Sequence, residues 1–142
     1  MKLEELQVYA LAMDIAERIW QIVSCWDYFA KETIGKQIVK SADSIAANLS
    51  EGFGRYHYRD NINFSYYSRG SLFETKTWIQ KSRNRNLISE IEYLKFIGEI
   101  DKIGVKLNNY IKTIGKASAN DAEGDRKSTR LNSSHVSKSR MP

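Results

Sequence analysis

QIVKSADSIAANLSEGFGR, residues 37–55, carries two stripes of different character when wound as a helix. At about 100° per residue, Ile38, Ala42, Ile45, Leu49 and Phe53 fall on one apolar line. Gln37, Ser41, Ser44, Asn48, Glu51 and Arg55 fall on a second line beside it. That second line is polar but short-chained except at its ends, whereas a solvated helix face is usually longer and richer in Lys and Glu. Short hydroxyls and an amide at this spacing predict a face pressed against another helix, where side chains must be small and hydrogen bonds must close. The helix loses its grip at Gly52 and Gly54.

On the N-terminal side, residues 3–24 read as a helix that is apolar around most of its circumference. Leu6, Ala10, Met13, Trp20 and Val23 line one face, and Val8, Ile15, Ile19 and Ile22 another. Charge is confined to a narrow strip with Asp14, Glu17 and Arg18. One apolar side faces a core and the other needs a partner, which predicts an oligomer. Residues 25–35, CWDYFAKETIG, break the pattern and are expected as a loop, with Gly35 capping the second helix.

On the C-terminal side, the chain turns through YHYR, and Asp60 is the expected N-cap of a third helix reaching about Arg83. Ser68, Leu72, Thr75 and Ile79 mark one face of it, with Ser71 and Trp78 at the edge, while Ile62, Tyr66, Arg69 and Phe73 mark the next. Ser89 and Glu92 form an S-x-x-E capping box that opens a fourth helix. Its inner face is Ile100, Ile103, Leu107, Tyr110, Ile111 and Ile114. The pattern stops after Lys116, and no strand alternation is evident. The expected fold is all-α, an antiparallel up-down-up-down four-helix bundle over residues 1–118 with a disordered tail over residues 119–142.

The chain's 142 residues, 42% hydrophobic and 27% charged, suffice for one domain with a real core. No apolar run approaches a membrane span, and acids interrupt the N-terminal apolar pattern as they would not in a signal peptide. The single cysteine, Cys25, excludes an internal disulfide framework and fits a cytoplasmic protein. The formal charge of +5 sits mostly in the tail, where Arg126, Lys127, Arg130, Lys138 and Arg140 oppose only Asp125. DRKSTRLNSSH is also what a common sequencing-library adapter encodes, so residues 125–142 are read as translated adapter fused to a truncated gene; the alternative is a genuine basic tail. Without those residues the charge is +1, and the electrostatic case for a polyanion partner nearly vanishes.

SADSIAANLSEGFGR together with SRGSLFET resembles the four-helix bundle family of 23S rRNA-intervening-sequence proteins. That family's pattern is approximately A-x-S-I-x-x-N-I-A-E-G-x-G-R followed by A-R-G-S-L-x-E, and the opening LQVYALA is similar to its L-x-V-W-x-x-A. Ala30 replaces a usual loop proline, Gly35 a common Thr cap, and Ser50 the Ala before Glu-Gly. The resemblance implies a compact bacterial bundle that assembles into a ring, typically a homopentamer. It also implies kinship with the accessory variability protein of diversity-generating retroelements, a pentameric barrel that binds nucleic acid and a reverse transcriptase. The family name states no activity.

The charged residues of these motifs, Glu51, Arg55, Arg69 and Glu74, are read with Gln37, Ser41, Ser44, Asn48 and Ser71 as a buried polar network that fixes helix register or a subunit contact. The alternative is solvated charges with no special role. Catalysis lacks support: no nucleophile or metal shell accompanies the carboxylates, Cys25 has no histidine context, and His57 has no ligand-spaced companions. No cofactor, metal or small-molecule substrate is expected. Tyr56, His57, Tyr58 and Arg59 read as a turn covering the end of the core, the rival being a stacking surface for single-stranded nucleic acid. Two roles follow: a non-enzymatic oligomer acting through protein–protein contacts, or an RNA- or DNA-binding accessory protein using Lys36, Lys40, Lys81, Arg83 and Arg85 around a ring.

Overall fold

The structure, a computed structural model, describes the backbone of residues 1–132 and the side chains of residues 1–124. Four long helices carry the fold: α1 (Gln7–Ser24), α2 (Lys36–Phe53), α3 (Tyr58–Asn84) and α4 (Glu90–Asn132). No strand occurs among the described residues. Each helix packs on the next in chain order, and α1 closes the square against α4. The links are short, which makes sequential neighbours antiparallel.

The apolar line of α2 is the centre of the core: Ile38, Ala42, Ile45 and Leu49 are all buried, and only Phe53 at the end is half-buried. Ile15 and Ile19 of α1, Ile79 of α3, and Ile103 and Leu107 of α4 meet it fully buried. Burying each such side chain contributes about 1.5–3 kcal/mol before entropy is counted. The expected inner faces of α3 and α4 hold, with Ser65 and Phe96 added to them and Tyr110 half-buried. In α1 the two expected apolar faces divide differently: Leu6 and Val23 join the core, whereas Ala10, Met13 and Trp20 stay outside.

Three local expectations are corrected. Residues 25–35 are wound and not a loop: Asp27 accepts a hydrogen bond from the Ala30 N–H (2.9 Å), capping one helical turn, Tyr28–Ala30, that runs into a wide turn, Lys31–Gly35. Gly35 therefore lies in helical backbone and caps nothing. A Cβ there would stand 3.0 Å from both the Ala30 carbonyl oxygen and Val23 Cγ1, so glycine permits this close approach. Asp60 is not the cap of α3, which begins two residues earlier with His57 in extended backbone before it; Asp60 sits in the first turn, where the helix dipole favours an acid.

The capping box of α4 forms in full. Ser89 Oγ accepts from the Glu92 N–H (3.1 Å), and Glu92 Oε1 accepts from the Ser89 N–H (2.9 Å). Before it, α3 ends on Asn86 at φ 58°, and the Leu87 N–H closes back on the Ser82 carbonyl (2.9 Å), a left-handed helix stop that Asn tolerates. Trp26 Nε1 donates to the Leu87 carbonyl (3.1 Å), pinning the end of α1 beside the α3–α4 link. The helical backbone of α4 continues past Lys116 to Asn132, but its last buried residue is Ile114. Residues 133–142, the end of the expected tail, lie outside the described residues.

Candidate functional site

The α2–α3 contact is where the short polar residues of the motif stretches go. Ser41 is buried and donates to its own helix at the Ile38 carbonyl (3.1 Å), while its oxygen receives Thr75 Oγ1 from α3 (3.0 Å). Ser68 Oγ crosses to the Ile45 carbonyl (2.7 Å), and Ser82 folds back on the Trp78 carbonyl (2.7 Å). Ser65, Ser68, Thr75 and Ser82 all have no exposed surface. At the far end, a Cβ on Gly52 would come within 2.8 Å of Asn61 Oδ1 and 2.9 Å of Phe64 Cβ, so the backbones are too close there for any side chain.

The polar line of α2 does not enter this contact as a unit. Ser41 goes inside; Ser44 and Asn48 are half-buried and bond back to the Lys40 and Ser44 carbonyls; Gln37, Glu51 and Arg55 are exposed. The four charged motif residues do not meet in one buried network within the chain. Glu51 and Arg55 pair with each other at 2.7 Å on the surface, and Arg55 lies over the Phe64 ring. Arg69 donates to Asn108 Oδ1 (3.1 Å) and lies over Tyr66, while Glu74 accepts from Trp78 Nε1 (3.0 Å). Ser71 is half-buried and its carbonyl accepts from Thr75.

Of the expected basic set, Lys36 pairs with Glu32 (2.7 Å), and Arg83 approaches Glu90 (3.6 Å) over the Tyr93 ring. Lys40, Lys81 and Arg85 are exposed. Lys36 opens α2, and Lys81 and Arg85 close α3, so these three share one end of the bundle.

Several contacts have no counterpart in the sequence reading. Arg18 spans α1 and α4, binding Glu99 with both terminal nitrogens and Asp14 beside it. Asn61 donates to the Tyr110 hydroxyl (3.3 Å), and burial pushes the Tyr110 phenol up despite that bond. The Ser65 hydroxyl is buried without a hydrogen-bond partner among the described residues. Residues far apart in the chain give no periodic signal for such pairs; only the Glu-Gly step at residues 51–52 hints at the close approach beside Asn61.

The outer surface keeps two apolar regions. One lies between α1 and α2, where Trp20, Val23, Gly35 and Val39 line a recess. The other lies between α3 and α4, where Phe73 and Val105 flank a groove over Leu72 and Ile100. Among the described residues no group of three or more His, Cys, Asp or Glu could hold a metal ion, and no helix is long and apolar enough to cross a membrane.

A solved structure similar to this chain is a protein of unknown function from the S23 ribosomal protein family of Bacteroides thetaiotaomicron. The two share 24% identity at a TM-score of 0.67, over 74% of this chain and 95% of that one, a likeness of fold alone. No curated protein matches the chain. The family described as 23S rRNA-intervening sequence protein matches residues 4–109, over the same four helices that the motifs and the buried lines mark out, and the chain belongs to that family.

Proposed function

We propose that this chain is a cytoplasmic, non-enzymatic homo-oligomer that acts through protein–protein contacts. One observation carries the reading: the core is complete, yet Met13 and Trp20 on one side and Phe73 and Val105 on the other remain exposed. Scattered apolar residues on a surface need no explanation, but apolar residues gathered at a recess and at a groove mark contact sites. The charged residues support the same reading, because they are tied in separate surface pairs and do not converge on a cavity. Five subunits is the number the family resemblance implies.

Light scattering on a sizing column, over a dilution series of the full chain, tests this. A discrete multimer that persists to low micromolar concentration is expected; a monomer throughout would overturn the proposal. The second reading, RNA or DNA binding, draws on the gathering of Lys36, Lys81 and Arg85 at one end of the bundle. A ring would repeat that end and strengthen its field. Protein lacking residues 125–142 distinguishes the readings: affinity for nucleic acid that falls as salt rises supports the second, and no binding at low salt removes it.

A further inference from the structure

The two apolar regions differ in charge. Beside the α1–α2 region, Glu17 and Asp43 stand close enough to repel. Partial burial of the Asp43 carboxyl, although the residue as a whole is exposed, and then the Glu17 charge push its pKa up. Neither acid has a cation partner among the described residues. Beside the α3–α4 region the imbalance is opposite. Arg69 has only the Asn108 amide oxygen and the Tyr66 ring for company, a guanidinium without a carboxylate. An uncompensated acid pair and an uncompensated cation on one molecule are complementary surfaces for two copies of it.

Their heights along the bundle agree. Arg18 reaches Glu99, which sets Glu17 level with the early part of α4. Lys76 pairs with Asp101 (2.9 Å), so that level of α4 is also the Phe73–Lys76 level of α3. Thr75 bonds Ser41, which brings Asp43 within about a turn of the same slab. Lower down, Trp26 and Leu87 hold the end of α1 beside the start of α4. The recess beside Trp20 and Val39 is therefore level with Ile91 and Leu94, which are 81% and 60% exposed.

We propose that a second copy of this chain docks its α1–α2 face onto the α3–α4 face of the first, with Glu17 and Asp43 meeting Arg69, Met13 and Trp20 packing toward Phe73 and Val105, and Leu94 entering the Trp20–Val39 recess. This rests on the oligomer reading above and specifies its contact. The contact is head-to-tail, so each copy offers one face and uses the other. Because both faces lie in one slab, successive copies rotate without climbing along the bundle, and the assembly closes as a ring instead of extending as a fibre.

Charge exchange in the full chain tests the pairing, with native mass from light scattering and helicity from circular dichroism. Glu17→Lys with Asp43→Lys, and separately Arg69→Glu, are each expected to weaken assembly at least about tenfold. All three substitutions in one chain are expected to restore it. The neutral variant Glu17→Gln with Asp43→Asn removes the repulsion inside the chain, so it folds at least as well as the parent, yet it too should assemble more weakly. A parental chain that is monomeric overturns the oligomer reading, and this inference with it. A parental multimer that survives both reversals, or that is as tight in the neutral variant, overturns this inference and leaves the oligomer reading standing. Reversals that each disrupt assembly without rescue in the combined variant also overturn the pairing.

Discussion

The α2–α3 and α1–α4 contacts are both helix–helix seams of one small bundle, but they are built on opposite terms. Between α2 and α3 the interfacial residues are Ser41, Ser65, Ser68, Thr75 and Gly52, and the backbones approach until one hydroxyl can reach the other helix's carbonyl. Between α1 and α4 the helices stand apart around Leu11 and Ile103, with a crevice left between them, and Arg18 bridges the gap to Glu99. The first seam is narrow and fixed by hydrogen bonds that only one register satisfies. The second is wide, held by aliphatic burial and closed by long flexible charges. Tight packing of small residues gives register, and loose packing of large ones gives most of the energy.

The comparison breaks most sharply by truncating the wide seam. Ile103 is fully buried beside that crevice. Ile103→Ala removes three carbons from a site whose neighbours are already spread, and is expected to cost about 2–5 kcal/mol in urea or thermal unfolding. A loss below about 1 kcal/mol would mean that the α1–α4 seam collapses onto the missing volume, and the distinction between the seams would fail. The narrow seam breaks in the opposite direction, by addition. Gly52→Ala puts a methyl within contact of Asn61 and Phe64 and is expected to cost about 1–3 kcal/mol, although Ala is the better helix former. An Ala variant as stable as the parent would show that α2 and α3 can separate there without penalty.

The hydroxyls test the same seam more gently. Ser68→Ala removes one cross-helix donor while the Ile45 carbonyl remains in a helix, so about 0.5–1.5 kcal/mol is expected. Ser68→Val fills the same space with a branched chain and should cost more than Ser68→Ala. The reverse order would mean that the hydrogen bond, and not the lack of room, sets this residue. On the outer edge of the seam, Ser44→Leu and Asn48→Leu should disturb folding or native mass more than Lys40→Leu, because the first two side chains are half-buried and the third is exposed. Equal melting temperatures and masses for all three would remove any special role for that edge.

How much of this was legible follows the same division. The aliphatic lines were readable because burial imposes a period, and Ile38, Ala42, Ile45 and Leu49 repeat it without interruption. The small polar line was readable as tight, but its depth was not: Ser41 and Asn48 are both short and polar, and a rotation of about 20° puts one inside and leaves the other half out. Residues 25–35 were misread because Asp27 caps a helical turn too short to show periodicity, and Gly35 is needed for space and not for its backbone freedom. Contacts such as Arg18 to Glu99 lie 81 residues apart and depend on how the helices are arranged, which no local pattern encodes. The charged motif residues were the least legible. Their spacing suits a network, but the chain alone joins only Glu51 to Arg55.

That pair gives the smallest effect and the finest discrimination. In an isolated chain an exposed i, i+4 pair contributes about 0.3–0.5 kcal/mol, so Glu51→Ala should lower stability by no more than that. The measurement gains force when repeated over protein concentration. If Glu51 and Arg55 serve only their own helix, the small loss stays constant as the protein is diluted. If they reach a neighbouring subunit, the loss grows with concentration, because only the assembled state contains the contact and mass action carries its free energy into the unfolding midpoint. A constant loss would assign the end of α2 to the fold of the single chain. A rising one would extend the subunit contact from the α1 side of α2 around to its opposite flank, giving the narrow seam a second role at its exposed edge.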